Sequence, residues 1–248
     1  MLDRFVSFEG AFNVRDLGGL TTANGSDVRR GLVFRAASPR RLTTTDREKV
    51  SELGISHVLD LRTGDEAELG SWAVPGRITR HNFAVIDVMP DPENPPSDLP
   101  PVVDANALAE RYAYRLRNGA ATFVAAAQTL TRNAEAGVLF HCSAGKDRTG
   151  ILAAFVLQAL GVDDETIVED YALSREPLQR QIEHQLANPL PDDSDLSLVA
   201  PVLKDSPAEA MRGLLEIMAR EHGGIATFFA DNGYGEDDLA VLRSSLLT

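Results

Sequence analysis

Residues 138–160 read VLFHCSAGKDRTGILAAFVLQAL, and they contain the clearest pattern of secondary structure in the chain. Residues 138–140 are a short apolar run that predicts a buried strand, and residues 149–160 predict an apolar helix. Between them, five residues separate Cys142 from Arg148. A strand, a tight loop that carries a thiol and a guanidinium, and the N-terminus of a helix together form an arrangement suited to binding and attacking a phosphate group.

The residue types in this loop suit a thiolate nucleophile and a bound anion. The N-terminus of the helix and an inward-facing nest of backbone N–H groups would stabilise both a thiolate at Cys142 and a phosphate above it. Arg148 offers a planar fork for two phosphate oxygens, and the hydroxyl of Thr149 can donate to the sulfur. Gly145 and Gly150 let the backbone approach a ligand closely. We therefore predict Cys142 as the nucleophile and Arg148 as the phosphate clamp.

The other loop residues raise the question of a general acid. Asp147 is the nearest carboxyl group, but its neighbours Lys146 and Arg148 favour its ionised form, so a dianionic substrate would have to raise its pKa. Asp60 ends another predicted strand and is the alternative acid, although a structural hydrogen-bonding role is favoured for it. His141 is expected to orient the loop through a backbone hydrogen bond. The residues expected to line the phosphate site are Ser143, Ala144, Gly145, Lys146, Thr149 and Gly150.

Residues 141–150, HCSAGKDRTG, resemble the signature of the cysteine-dependent phosphatases. The AGKDRTG form is similar to that of the bacterial tyrosine phosphatases related to mycobacterial protein tyrosine phosphatase B. Further segments are similar to motifs of that family: FNVRDLGG at 12–19, VFRAA at 33–37, VLDLR at 58–62 with Glu66 or Glu68 after it, and GIATFF at 224–229. The resemblance covers most of residues 8–245 and is most specific in the loop.

The resemblance implies an α/β fold with a central sheet flanked by helices and a lid-like helical insertion. It also implies a metal-independent hydrolase of phosphate monoesters without a cofactor, in which Cys142 is the nucleophile, Arg148 the clamp and Asp147 the acid. A phosphotyrosine protein is the first choice of substrate. Lys146 resembles a lysine of phosphatases that also accept phosphoinositides, so dual-specificity or phosphoinositide hydrolysis is the second choice.

Short strands alternate with helices along the chain, which predicts an α/β fold and a single domain over residues 1–248. Thr45 and Glu48 read as a capping box for a helix that ends at Leu53. Residues 105–134 read as helical, with a break at 118–119. The predicted strands cover residues 31–35, 55–61, 78–85 and 138–141.

Two segments depart from this alternation. Residues 87–104 hold six of the thirteen prolines, which predicts a long surface loop or the entrance of a lid. Residues 163–220 are predicted as a helical insertion that prolines interrupt. In the family that the chain resembles, helices in this area cover the active site as a lid, and a helical side layer is the alternative.

Composition limits the partners and the location. A net charge of −13 argues against binding to nucleic acid or an anionic membrane surface. No apolar run reaches the length of a membrane span, and the first residues lack the apolar centre of a classical signal peptide. A single cysteine excludes an intrachain disulfide and favours the cytoplasm, with non-classical secretion and the oligomeric state left open. Five scattered histidines and one cysteine predict no metal site.

Two other classes of protein use parts of the same pattern. A phosphate-binding module without catalysis would keep the loop and lose the thiol, whereas both Cys142 and Arg148 are present. Rhodanese-like sulfur transfer also uses a loop cysteine, but the residues after Arg148 fit a phosphatase better. Within the loop, a solvated surface position for Lys146 and a helix-capping role for Asp147 are the structural alternatives to their functional roles.

Overall fold

The computed structural model describes residues 2–39, 42–68, 72, 78–85, 102–189 and 200–248. Within these residues, five strands form one sheet: β1 (Arg15–Asp16), β2 (Val33–Ala36), β3 (His57–Asp60), β4 (Thr79–Asn82) and β5 (Val138–His141). The strand order is β1-β2-β5-β3-β4, and only the pair of β1 and β2 is antiparallel. The strand that leads into the cysteine loop therefore lies in the middle of the sheet.

Helices cover both faces of this sheet. In chain order they are α1 (Thr44–Glu52), α2 (Gly64–Glu68), α3 (Ala105–Asn118), α4 (Ala120–Asn133), α5 (Asp147–Leu160), α6 (Asp164–Ala172), α7 (Arg175–Ala187), α8 (Ala208–His222), α9 (Ile225–Asp231) and α10 (Glu236–Leu246). Short 3-10 turns occupy Leu2–Arg4, Ala134–Ala136 and Pro201–Lys204. The structure is a mixed α/β fold, as the sequence predicts.

The core is built around α5. Twelve of its fourteen residues are buried, so this helix is apolar on all sides and other helices surround it. Phe155 of α5 stacks on Phe229 of α9 with ring centroids 3.7 Å apart. On the opposite face of the sheet lies a second, smaller apolar cluster, which includes Trp72 and, from α1, Val50.

No helix among the described residues combines the length and the hydropathy that a membrane span requires.

Parallel pairing brings three strand ends to the same edge of the sheet. His141 at the end of β5 lies opposite Ala36 at the end of β2 and Asp60 at the end of β3. Because ligands of open α/β sheets bind at the carboxyl ends of the strands, the cysteine loop emerges where such a site is expected.

Several boundaries can be compared with the sequence-based predictions. The strand at 138–141 is confirmed, as is the helical region from 105 with its break, since α3 ends at Asn118 and α4 begins at Ala120. The helix after the cysteine loop begins at Asp147, two residues earlier than predicted. The other three strands exist and are shorter than predicted.

The predicted capping box at the start of α1 is wrong by two residues. Thr43, not Thr45, is the N-cap, and it forms a reciprocal capping box with Asp46. The carboxylate of Asp46 is also buried, and it accepts hydrogen bonds from the backbone N–H groups of Glu9 and Gly10, both at 2.8 Å. These tertiary contacts favour Thr43 as the N-cap, because the carboxylate of Asp46 then also satisfies the backbone amides of Glu9 and Gly10.

The helical insertion predicted at 163–220 divides into parts with different surroundings. Helix α6 buries Asp170 and Tyr171, and α8 buries six residues against the core, so both belong to a helical side layer. Helix α7 buries only Leu178. A lid role therefore stays a prediction for α7 alone. Of the proline-rich segment predicted at 87–104, residues 87–101 lie outside the described residues, and Asp104 caps α3 through the N–H of Ala107.

Candidate active site

The cysteine loop, residues 142–146, joins β5 to α5 and turns sharply at one glycine. Gly145 has a φ of +65°, in the left-handed region that favours glycine. A Cβ atom at this position would lie only 2.4 Å from the backbone of Ala36. The loop is therefore pressed against the end of β2 so closely that only glycine fits.

The carbonyl groups of the loop point toward this scaffold. The contacts are Ser143 O with the N–H of Ser38 (3.0 Å), Ala144 O with Asn13 Nδ2 (3.2 Å), and Gly145 O with Asn13 Nδ2 (3.1 Å) and Arg35 Nη2 (3.0 Å). In a trans peptide the N–H points away from the C=O, so the next amides face the other side. The amides of residues 143–147 donate no hydrogen bond to any described residue. This is the arrangement that an anion-binding nest at a helix N-terminus requires.

The nucleophile candidate lies at the base of the loop. Cys142 follows β5 directly and is buried. Thr149 is buried in the first turn of α5, and its hydroxyl has no hydrogen-bond partner among the described residues. An unsatisfied buried hydroxyl costs about 1–3 kcal/mol, and such groups often mark a functional site. Cys142 and Thr149 therefore both lie on the segment that joins β5 to the first turn of α5, where the sequence analysis expected them.

Glu66, one of the two glutamates noted after the VLDLR motif, holds the side chain of Arg148 in place, a role that the sequence analysis did not assign. Glu66 on α2 accepts hydrogen bonds from Arg148 Nη1 (2.7 Å) and Nη2 (2.8 Å), and from the hydroxyl of Ser143 (2.7 Å). Burial alone would raise the pKa of Glu66, but the hydrogen bonds and charge of Arg148 hold it well below its usual range. The bidentate pair fixes the plane of the guanidinium beside the loop. The segment after VLDLR was the only sequence signal for this contact.

The acid candidate Asp147 is tied to the helical layer. Its Oδ1 accepts a hydrogen bond from the hydroxyl of Tyr112 on α3 (2.6 Å), which in turn lies 2.7 Å from the hydroxyl of Tyr171 on α6. Burial alone would raise the pKa of Asp147, but the charges of Lys146 and Arg115 and the Tyr112 hydrogen bond lower it. Asp147 is therefore ionised in the ligand-free site.

Lys146 is fully buried, so it is not a solvated surface lysine. Its Nζ donates hydrogen bonds to the carbonyl oxygens of Leu203 (3.0 Å) and Asp205 (2.7 Å), and lies 3.5 Å from Asp147 Oδ1. These contacts hold the segment before α8 against the cysteine loop. Two of the three N–H donors of this ammonium group are thus taken by carbonyl groups of the chain.

The two accessory candidates have structural surroundings. Both carboxylate oxygens of Asp60 accept hydrogen bonds from Arg62, at 2.9 and 2.7 Å, and the pair is buried. His141 Nδ1 lies 3.2 Å from the carbonyl oxygen of Cys142, which makes Nδ1 the donor. Burial lowers the pKa of His141 to about 4, so the ring is neutral at physiological pH. The structural roles favoured for both residues stay predictions.

The chain belongs to the tyrosine phosphatase family, because the model of that family matches residues 6–248. It is 32% identical to the triple specificity protein phosphatase PtpB of Mycobacterium tuberculosis, over 96% of this chain and 97% of that protein. It is 33% identical to a Cupriavidus necator protein named provisionally as a tyrosine-protein phosphatase, over 69% of this chain and 63% of that protein. A tyrosine-protein phosphatase of Nostoc commune is 35% identical, over 65% and 51%. The chain thus spans less than two thirds of the last two proteins.

The Glu66 contact leads to a first prediction. Replacing Glu66 with Gln removes the charge that orients Arg148, and we expect kcat/KM for an aryl phosphate to fall about 10-fold, as for a partly exposed charge pair worth roughly 1–2 kcal/mol. The measurement is steady-state hydrolysis of p-nitrophenyl phosphate together with the inhibition constant of inorganic phosphate. Glu48→Gln, on the exposed face of α1, is the matched control. A Glu66→Gln protein that bound phosphate more tightly would show instead that Glu66 competes with the substrate.

Proposed function

We propose that the chain hydrolyses phosphate monoesters, with phosphotyrosine in proteins as the main substrate, through a cysteinyl-phosphate intermediate. One observation carries the proposal: Cys142 and Arg148 flank a loop whose carbonyl groups are held outward and whose amides donate no bond to the described residues. Such a loop can surround a phosphate dianion with N–H groups while a thiolate lies beneath it. Membership of the tyrosine phosphatase family supports the same reaction.

The reaction has two steps. The thiolate of Cys142 attacks phosphorus, so an S–P bond forms while the P–O bond to the leaving group breaks, and the leaving oxygen takes the proton of Asp147. Water then attacks the cysteinyl-phosphate and passes a proton to Asp147, which releases inorganic phosphate and restores the thiolate. Arg148 and the loop amides stabilise the charge on the three equatorial oxygens in both transition states.

The acid role of Asp147 needs a source of its proton. The ligand-free surroundings lower the pKa of Asp147, but a phosphate dianion that binds to the loop brings two negative charges close to the carboxylate and raises it. The hydroxyl of Tyr112 donates a hydrogen bond to Oδ1 of Asp147 and thereby restricts the position of the carboxyl group. Asp60 is a poorer candidate, because Arg62 occupies both of its oxygens.

A second candidate function is dual-specificity or phosphoinositide hydrolysis. It is supported by the name of the mycobacterial relative, a triple specificity phosphatase, and by the ammonium group of Lys146 beside the loop. The net charge of −13 opposes a polyanionic lipid surface at long range, which favours the protein substrate as the main one. We also propose a cytoplasmic location, which the single cysteine supports.

The central experiment replaces Cys142 with Ser. Because a serine hydroxyl is a far weaker nucleophile than a thiolate at neutral pH, we expect kcat for p-nitrophenyl phosphate to fall at least about 10³-fold. Inorganic phosphate should still bind, since the loop amides and Arg148 are unchanged. Hydrolysis by Cys142→Ser at the wild-type rate would refute a cysteine-dependent mechanism. Detection of thiocyanate formation without phosphate release would point to sulfur transfer.

The acid assignment has a separate test. Asp147→Asn cannot donate a proton, so we expect hydrolysis of phenyl phosphate to slow about 100-fold, and hydrolysis of an ester with an activated leaving group, 2,4-dinitrophenyl phosphate, to slow less than about 10-fold. Asp237→Asn, an exposed substitution on α10, serves as the control. Equal losses on both esters would move the acid role away from Asp147.

The substrate question depends on Lys146. If its charge recognises a second phosphate group, Lys146→Gln should lose about 10-fold or more of kcat/KM on a soluble phosphoinositide and much less on a phosphotyrosine peptide. Gln keeps a donor for the carbonyl oxygens of Leu203 and Asp205, whereas Lys146→Ala removes it. Comparing the two variants therefore separates the effect of the lost charge from the effect of the lost hydrogen bonds. Equal losses on both substrates would remove the argument for the lipid.

A further inference from the structure

Asn13 is the one residue other than glycine with a positive φ among the described residues, at 56°. It lies on the segment before β1, it is buried, and its Nδ2 donates to the carbonyl oxygens of both Ala144 and Gly145. A residue in a strained backbone conformation persists where its surroundings hold it there, and such residues cluster at functional sites. Here this backbone conformation directs the side-chain amide of Asn13 toward two carbonyl groups of the cysteine loop.

Arg15 fixes the orientation of the Asn13 side-chain amide. Arg15 Nη1 donates a hydrogen bond to Asn13 Oδ1, and because a guanidinium is only a donor, the oxygen must face it and Nδ2 must face the loop. Arg15 itself is bound to Asp170 through Nε–Oδ1 (3.2 Å) and to the carbonyl oxygen of Asp170 (2.8 Å). The amide of Asn13 is thus held between a buried ion cluster and the loop.

The ion cluster carries an excess of positive charge. Asp170 pairs with Arg4 (2.6 Å), Arg15 (3.2 Å) and Arg35 (2.7 Å), and all four side chains are buried. Burial and the charge of Arg35 lower the pKa of Arg15 to about 9, so the residue is still protonated at neutral pH. One carboxylate faces three guanidinium groups, and Arg35 also reaches Gly145 O. The guanidinium group of Arg35 therefore lies against the carbonyl side of the loop, opposite the proposed phosphate position.

We propose that Asn13 is a positioning residue for the phosphate site. By holding the carbonyl groups of Ala144 and Gly145 outward, it turns the amides of Gly145 and Lys146 toward the anion, and Arg15 fixes the orientation in which it can do so. The proposal rests on the proposed function and extends it to a residue 129 positions away from Cys142 in the chain. It acts on anion binding and on the stability of the thiolate, without contact with the substrate.

Two substitutions test this role. Asn13→Asp keeps the shape and the tolerance for a positive φ, but its carboxylate cannot donate to the loop and instead pairs with Arg15. Asn13→Gly keeps the backbone conformation and removes the donor without adding charge. Asn24→Asp and Asn24→Gly, at an exposed turn, are the matched controls. Thermal unfolding of each variant establishes that it is folded.

The readouts are phosphate affinity and thiolate formation. Isothermal titration calorimetry gives the dissociation constant of inorganic phosphate, and the absorbance of the thiolate at 240 nm follows the only cysteine against pH, with Cys142→Ser as the blank. For both Asn13 variants we expect the dissociation constant to rise about 10-fold, since misdirected donors contribute little to an anion site. The thiolate should form at higher pH, with His141, Arg148 and Glu66 unchanged.

The outcomes separate the possible causes. An unchanged dissociation constant in both variants would overturn the positioning role, and so would a change in Asn13→Asp alone, because added charge would then explain it. If Asn13→Asp does not fold, Asn13→Gly decides the result. Neither the phosphate titration nor the thiolate absorbance requires the protein to hydrolyse a substrate. A wild-type protein that bound phosphate but hydrolysed no monoester would refute the proposed function and leave this inference intact.

Discussion

The site depends on the direction in which the peptide groups of residues 143–146 face. A peptide unit is planar, so fixing a carbonyl group on one side of the loop fixes an N–H group on the other. Ser38, Asn13 and Arg35 take up the carbonyl side. The contacts on the carbonyl side of the loop therefore orient the amides of the proposed anion site. The residues that make these contacts are as important to that site as Cys142 and Arg148.

The buried ion cluster places positive charge next to the proposed anion site of an acidic protein. The net charge of −13 describes the whole chain, whereas Asp170 gathers three arginines directly behind the loop. Burying these charges is costly, and a buried pair is weak evidence for stability by itself. The cluster does join the N-terminal segment, β2 and α6, and so ties α6 to the rest of the fold, although the sequence placed this helix in an insertion.

The sequence predicted the parts of the site that are local. Cys142, Arg148 and the helix that follows β5 lie within one short segment, so their spacing carries the information. Glu66 and Asn13 contact this segment only through tertiary structure. Both lie in or next to motifs that resemble those of the family, but the chain pattern does not show that either residue contacts the cysteine loop. The cap of α1 was mispredicted for the same reason: Asp46 is selected by amides of residues 9 and 10, which helix periodicity cannot show.

The two parts of the protein hold different components of the proposed reaction. The sheet and the N-terminal segment hold the nucleophile loop, whose geometry must stay fixed for any phosphate ester. The helical layer contacts the two charged residues that follow Gly145, since Tyr112 on α3 binds Asp147 and the residues before α8 bind Lys146. Because these two charges are adjacent and 3.5 Å apart, a movement of the segment before α8 that released Lys146 would also change the field at Asp147. If the proposed roles of Lys146 and Asp147 hold, substrate choice and proton supply are coupled through this one segment, whereas Cys142, Arg148 and the loop amides that would bind the phosphate lie outside it.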